Sequence, residues 1–156
     1  MPAMQFQTTV ERPVEDVFDL LADLKNYPRW LPSGGLYKSV AQISDDPVRL
    51  NTTYVDHGSA SMLTGRITEF APPTLLTFRQ FSKQRIAGLE GGLEIEIRYT
   101  LDAHGTHTHV TRAIVFQVQG VIWLLQPIIA NAIRKENERI MATLTNYLNA
   151  PSPATT

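Results

Sequence analysis

The stretch that decides the fold is residues 120–149, GVIWLLQPIIANAIRKENERIMATLTNYLN. Apolar side chains recur along it at helical spacing: Ile122, Leu125, Ile129, Ile133, Ile140, Leu144 and Tyr147. This apolar stripe must be covered by other parts of the chain, and the residues before it have the pattern of strands. The sequence therefore predicts a curved antiparallel sheet wrapped around one long helix, with a hollow between the two.

The first half of this helix is apolar on more than one side, because Val121, Leu124 and Ile128 lie off the main stripe. Such extra apolar surface is typical of a second packing layer, a self-association surface or a cavity wall. Pro127 lies inside the helical pattern. Since proline lacks a backbone N–H, it predicts either a kink or the true start of the helix.

Glu136 falls on the apolar stripe between Ile133 and Ile140. An unpaired carboxylate is costly to bury, which favours a side chain that reaches solvent at the edge of the stripe. The alternative is a polar anchor inside a ligand cavity.

The composition is that of an ordinary globular domain of 156 residues, with 43% hydrophobic and 19% charged residues. A net charge of −1 gives no electrostatic support for nucleic-acid binding. The absence of cysteine excludes disulfides, thiolate zinc sites and cysteine nucleophiles. The N-terminal residues MPAMQFQTTVERP contain no apolar core long enough for a signal peptide, and no apolar run approaches the length of a membrane span. We expect a cytoplasmic protein without stable membrane insertion.

The rest of the chain predicts a strand, a helix and then a run of about six strands before the long helix. The strands are expected at residues 4–10, 36–43, 52–57, 62–70, 75–81, 93–101 and 108–118, and the first helix at 13–26. Strand 93–101 alternates most clearly, with apolar side chains on one face and charged ones on the other. Residues 83–92 predict a loop because they contain three glycines, and residues 102–105 predict a hairpin turn.

This order defines an α+β protein with helices gathered on one side of a sheet of about six to seven strands. We expect one domain over residues 1–150 and a disordered tail over residues 151–156.

Several motifs within this order resemble those of the START/polyketide-cyclase superfamily (SRPBCC), whose fold is called helix-grip. They are PVEDVF at 13–18, the segment from Asp23 to Trp30-Leu31-Pro32, ITEFAPP at 67–73, Tyr99-Thr100-Leu101 followed by Gly105-Thr106, and the closing helix with its proline. The resemblance implies an apolar cavity between the sheet and the last helix. Members bind lipids, sterols, hormones or polyketides, and a minority catalyse cyclisation or dehydration. The family has no universal catalytic motif, so no catalytic residue can be transferred.

The main functional hypothesis is therefore a binding protein for a small hydrophobic molecule, without cofactor or metal. The cavity is expected to be lined by Trp30, Phe78, Ile95, Ile97, Tyr99, Ile122, Leu125, Ile129, Ile133 and Glu136. One alternative is a polyketide cyclase/dehydratase-like enzyme with an acid–base pair such as Glu136 and His57. The other is a protein that forms a homodimer or binds a partner through Val121, Leu124 and Ile128.

Other residues allow two interpretations each. Trp30 and Tyr27 either plug the core or form an aromatic gate at the cavity mouth. Arg66 and Arg79 either lie on the outer face of the sheet or point inward to Glu136 or a ligand carboxylate. Three histidines near the last hairpin could suggest a metal site, but exposed positions fit them better: His104, His107 and His109.

Overall fold

A seven-stranded antiparallel sheet forms the body of the protein in the computed structural model, which describes residues 3–59, 62–86 and 88–150. The strands are β1 (Ala3–Val10), β2 (Tyr37–Ala41), β3 (Thr53–Gly58), β4 (Met62–Ala71), β5 (Leu75–Ile86), β6 (Leu89–His104) and β7 (His107–Gly120). Their order is β1-β7-β6-β5-β4-β3-β2, so each strand from β2 to β7 lies beside its neighbour in sequence. This confirms the α+β, helix-grip prediction. The tail predicted for residues 151–156 lies outside the described residues.

Helix α1 (Val14–Ala22) follows β1, as predicted. Its apolar face is buried through Val14, Val17, Phe18 and Leu21, while acidic side chains occupy its first turn, where they interact favourably with the helix dipole. The chain then continues as a 3-10 helix, Leu24–Arg29.

The long C-terminal helix α2 spans Gln126–Asn149, and a 3-10 turn, Val121–Leu125, precedes it. Pro127 lies in the first turn of α2, where its missing N–H costs no hydrogen bond. Of the two predictions for this proline, the true start of the α-helix is therefore confirmed.

The two halves of α2 differ in burial. The second half packs on the sheet through Ile140, Met141 and Leu144, and Thr145 exchanges a 2.8 Å hydrogen bond with Thr8 of β1. In contrast, Leu124 and Ile128, at the start of the helical region, are 77% and 68% exposed.

The predicted loop at residues 83–92 is wrong, because β5 and β6 remain paired along it from Lys83↔Gly92 to Ile86↔Leu89. The ladder uses backbone groups only, so glycines do not prevent it. A Cβ on Gly91 would lie 3.1 Å from Cγ1 of Ile122, so a side chain there would require Ile122 to shift by a few tenths of an ångström. The last hairpin is also tighter than predicted, because β6 continues to His104 and β7 begins at His107.

The core lies between the sheet and the helices. Side chains of α1 and α2 meet the inner face of the sheet there, and the largest fully buried ones are Tyr99, Phe116, Leu21, Ile67, Leu76, Leu101, Ile114 and Leu144. Among the described residues, no helix combines the length and apolar character needed to cross a bilayer.

Candidate functional site

A small cavity lies between the inner face of the sheet, the 3-10 helix Leu24–Arg29 and α2. Its volume is about 60 Å³. Its apolar lining consists of Leu24, Trp30, Leu31, Val40, Phe78, Ile97 and Ile140, and its polar lining of Tyr27, Tyr37, Tyr54, Asp56, Gln80, Tyr99 and Arg112. A water molecule takes roughly 30 Å³ of liquid, so the cavity has room for about two waters. Such a polar lining is unusual for a core void, because buried polar groups need partners.

The first polar group spans three strands and depends on a glycine. Tyr54 of β3 lies opposite Gly65 of β4, which lies opposite Gln80 of β5. A Cβ on Gly65 would lie 2.6 Å from Cε2 of Tyr54, so only glycine lets the tyrosine ring lie across β4. As a result, Gln80 Nε2 donates to the Tyr54 hydroxyl at 2.7 Å.

Asp56 joins the same group from β3. Its Oδ2 accepts a 3.3 Å hydrogen bond from Gln80 Nε2. Burial raises the pKa of Asp56 to about 6, although the Gln80 hydrogen bond and the charge of Arg112 favour the ionised form. The carboxyl group can therefore hold or release a proton near neutral pH.

Arg112 of β7 forms the second polar group with Tyr99 and Asn137. Its Nε donates to Asn137 Oδ1 at 2.6 Å and its Nη1 donates to the Tyr99 hydroxyl. Asn137 is fixed in turn, since its Nδ2 donates to the Ile133 carbonyl at 2.8 Å. Arg112 is only 7% exposed, and within residues 3–59, 62–86 and 88–150 no carboxylate lies at ion-pair distance from it. A buried guanidinium without a counter-charge is costly, which makes Arg112 a candidate anchor for a ligand.

Two further polar atoms of the lining have no hydrogen-bond partner among the described residues. They are Trp30 Nε1 and the Tyr37 hydroxyl, and both are buried. Burial raises the pKa of Tyr37 to about 12, so its hydroxyl stays protonated and can donate. Orphaned donors beside a cavity indicate that another molecule, a water or a ligand, completes their hydrogen bonds.

The structure brings four of the predicted lining residues together at this cavity: Trp30, Phe78, Ile97 and Tyr99. Ile95, Ile122 and Ile133 are buried elsewhere in the core, Ile129 is half-buried and Leu125 is 45% exposed. Whether any of these side chains contacts a ligand stays a prediction.

Glu136 lies next to the loop before β2 rather than in the cavity lining. Its side chain is 11% exposed and pairs with Arg139 Nη2 at 2.5 Å. It also accepts a 2.7 Å hydrogen bond from the backbone N–H of Leu36. The sequence offered two interpretations of Glu136, a side chain that reaches solvent and a polar anchor inside a ligand cavity. Neither describes this contact, because groups of the protein itself bind the carboxylate. We call Glu136, Arg139 and Leu36 the loop clamp.

Tyr27 and Trp30 pack edge to face, with ring centroids 5.1 Å apart, and both are buried. The Tyr27 hydroxyl donates to the Leu21 carbonyl at 2.6 Å. These fixed positions fit a plug better than a gate.

The remaining candidates lie away from the cavity. Strand alternation places His57, the proposed base, on the face opposite Asp56. Arg66 and Arg79 are both exposed. His104 and His107 are exposed and His109 is half-buried, and the described part of the chain contains no group of three or more side chains suited to hold a metal ion.

Sequence reasoning missed Asp56, Gln80, Arg112 and Asn137. A period of two along β3 would have placed Asp56 beside Tyr54, on the apolar face. Arg112 carries a weaker signal, because β7 has apolar side chains on both faces.

A protein-family model matches residues 1–149 of this chain. The matching model describes polyketide cyclase/dehydrase and lipid transport proteins. No curated protein matches this sequence.

Solved structures of low sequence identity share the fold. A START superfamily protein from Mycobacterium smegmatis is 12% identical with a TM-score of 0.65, over 94% of this chain and 96% of that one. The di-domain ARO/CYC protein BexL from the BE-7585A biosynthetic pathway is 17% identical with a TM-score of 0.66, over 94% of this chain and 46% of that one. The Aha1 dimer from Colwellia psychrerythraea is 11% identical with a TM-score of 0.64, over 98% of this chain and 100% of that one.

Proposed function

We propose a binding function for this chain, which belongs to the polyketide cyclase/dehydrase and lipid transport family. In this proposal the chain binds a small hydrophobic molecule between the sheet and α2. The observation that carries the proposal is the buried guanidinium of Arg112 beside two orphaned donors, Trp30 Nε1 and the Tyr37 hydroxyl. These groups are all donors, so the ligand should carry acceptors such as a carbonyl, phenol or carboxylate oxygen. Its body should be apolar or aromatic, because Phe78 and Ile97 share the lining.

The size of the cavity adds a requirement. Sites for drug-sized ligands measure roughly 300–1,000 Å³, whereas the space between sheet and α2 measures about 60 Å³. Binding of such a ligand therefore requires the elements around the cavity, including α2 at Ile140, to move apart.

The binding proposal is tested by Tyr37→Phe, a change that removes an unpartnered hydroxyl and leaves the ring. Because this buried hydroxyl has no hydrogen-bond partner among the described residues, its loss should leave the stability of the free protein unchanged or slightly higher. If it contacts a ligand, affinity should fall by about three- to tenfold. Native mass spectrometry would first select ligands from a panel of lipids, naphthols and aromatic ketones, and calorimetry would measure Kd.

The matched control for this experiment is Tyr147→Phe, because Tyr147 is half-buried on α2 and outside the lining. Equal affinity of the wild type and Tyr37→Phe, or no ligand retained from the panel, would contradict the proposal.

An enzyme of the cyclase/dehydratase kind is the second candidate, and the raised pKa of Asp56 supports it. A carboxylate with a pKa of about 6 can accept a proton from a carbon next to a ketone. Arg112 and Tyr99 could then stabilise the enolate oxygen.

Asp56→Asn tests this enzymatic candidate. Condensation of an aromatic β-diketone should fall at least a hundredfold in the variant, and the wild-type kcat/KM should rise with pH through about 6. A flat pH profile, or an active variant, would exclude Asp56 as the base.

A homodimer is a further hypothesis, supported by the exposure of Leu124 and Ile128 and by the dimeric state of the Aha1 structure. Light scattering of the wild type and Ile128→Glu would test it, because a dimer through this surface should dissociate in the variant. The cytoplasmic location stays a prediction that cell fractionation would check.

A further inference from the structure

A second, larger cavity lies on the face of the sheet opposite α2. Phe78 and Gln80 of β5 face the inner cavity, so strand alternation turns Arg79 and Phe81 outward. These two residues line a groove of about 910 Å³ that crosses β3 to β7. We call it the outer groove. Its volume is that of a site for a small organic molecule.

Two arginines lie opposite each other in the outer groove. Arg66 of β4 is the register partner of Arg79 of β5. Like charges at directly opposite positions repel each other and destabilise a sheet. Arg79 is partly neutralised by Glu94 at 2.8 Å. Arg66 is exposed and, within residues 3–59, 62–86 and 88–150, has neither an ion-pair partner nor a side-chain hydrogen bond. An anion placed between the two guanidinium groups would remove the repulsion.

The other side chains of the groove suggest what the anion is attached to. Phe81 lies two residues from Arg79 and is 52% exposed, so it offers an uncovered apolar surface. Thr68 also lines the groove, and its hydroxyl is buried without a partner among the described residues. Lys83 adds a further positive charge to the groove. Two carboxylates line it, Glu94, which pairs with Arg79, and Glu90, which does not. Cations therefore outnumber carboxylates, and the charge favours an anion over a cation.

We propose that the outer groove binds a small amphipathic carboxylate. The carboxylate accepts hydrogen bonds from Arg66 and Arg79, whose planar guanidinium groups match its geometry. The aromatic or aliphatic body of the ligand covers Phe81. This site is separate from the inner cavity and does not depend on the function proposed for it.

The test uses 2-naphthoate as a probe and 2-naphthamide as its uncharged equivalent. Titration followed by NMR should shift the backbone amides of residues 64–68 and 79–83 with naphthoate, and the amide probe should bind at least tenfold more weakly. Arg66→Gln should weaken naphthoate binding by about tenfold, the effect of losing one charge-assisted hydrogen bond. Phe81→Ser should weaken both probes.

A control variant makes the result specific. Arg134→Gln changes an exposed arginine of α2 in the same way and should leave the affinity unchanged.

The proposal would be overturned by no binding of naphthoate, by equal affinity for both probes, or by equal affinity of Arg66→Gln and Arg134→Gln. Shifts confined to the inner-cavity residues would also overturn it, while supporting the function proposed for that cavity.

Discussion

Burial raises the pKa of Asp56 from 3.8 to about 6, which gives the folded protein a pH dependence with a defined sign. The unfolded chain releases this proton near its ordinary pKa of 3.8, whereas the folded chain keeps it until about 6. The folded state therefore binds the extra proton between these values. As a result, the contribution of Asp56 to the free energy of unfolding is highest in acid and falls as pH rises through this window.

Asp56→Asn should remove this pH dependence, because asparagine cannot ionise and can still accept the hydrogen bond from Gln80. Near pH 8 the variant should be more stable than the wild type by about 1–2 kcal/mol, a value reduced for the partial exposure of the side chain. Near pH 4 the difference should be smaller. Urea unfolding at both pH values measures it, and a pH-independent difference would contradict the assignment.

Gly65 should tolerate no side chain, because a Cβ there meets the Tyr54 ring. We expect Gly65→Ala to lower the free energy of unfolding by about 1–3 kcal/mol through overpacking. Gly92→Ala is the control, since a Cβ at that strand position meets no atom closer than 3.4 Å. Equal melting temperatures for the two variants would show that Tyr54 can move without cost.

Single residues of the site were hard to predict for a physical reason. A charged residue in a strand normally points to solvent, and β7 has apolar side chains on both faces, so the pattern does not place Arg112 on the inner face. Its inward position depends on Asn137 and Tyr99, which are distant in sequence and approach it only after folding. The apolar neighbours Phe78, Ile97 and Tyr99 follow simple alternation, and the sequence places them on the inner face.

At the scale of elements, the loop clamp connects α2 to the chain before β2. Glu136→Ala should release this loop, because Leu36 loses the acceptor of its N–H and Arg139 loses its ion pair. We expect a loss of about 1–2 kcal/mol and hydrogen exchange of the Leu36 amide that is about tenfold faster.

Glu138→Ala provides the comparison for the loop clamp, since Glu138 is exposed on the same helix and forms no ion pair within the described residues. If both variants exchange the Leu36 amide at the same rate, the clamp does not hold the loop.

The two halves of α2 should contribute unequally to stability. Leu144 is fully buried, so Leu144→Ala should cost about 2–5 kcal/mol. Ile128 is 68% exposed, so Ile128→Ala should change stability by less than about 0.5 kcal/mol. Chemical unfolding of both variants checks this, and similar losses would mean that the first half of α2 is as firmly docked as the second.

Strands could be predicted where apolar and polar side chains alternate, because the alternation distinguishes the buried face of a strand from the exposed one. Leu93 to Leu101 alternates cleanly, and the structure has a strand there. The pattern fails across Gly88, Gly91 and Gly92, because glycine has no side chain to alternate although its backbone still forms the ladder. For the same reason, the length of the β5–β6 hairpin could not be inferred from the sequence.

For the whole molecule, the order of elements was enough to predict the sheet, the two helices and their arrangement. The volume of the space between them was not predictable. It depends on how side chains from β2, β3, β5, β6, β7, the 3-10 helix and α2 fill one region. A hollow is a property of packing, whereas the hydrophobic pattern specifies only which faces are covered.

Strand β5 separates the inner cavity from the outer groove and is one residue thick. Gln80 faces the cavity, while its neighbours Arg79 and Phe81 face the groove. A guest that displaces the Gln80 backbone must also displace the peptide groups of both neighbours. Thermodynamic reciprocity then applies: if a ligand in one site changes the affinity of the other site by some factor, a ligand in the other site changes the affinity of the first by the same factor. A titration at either face therefore measures the coupling between the two sites.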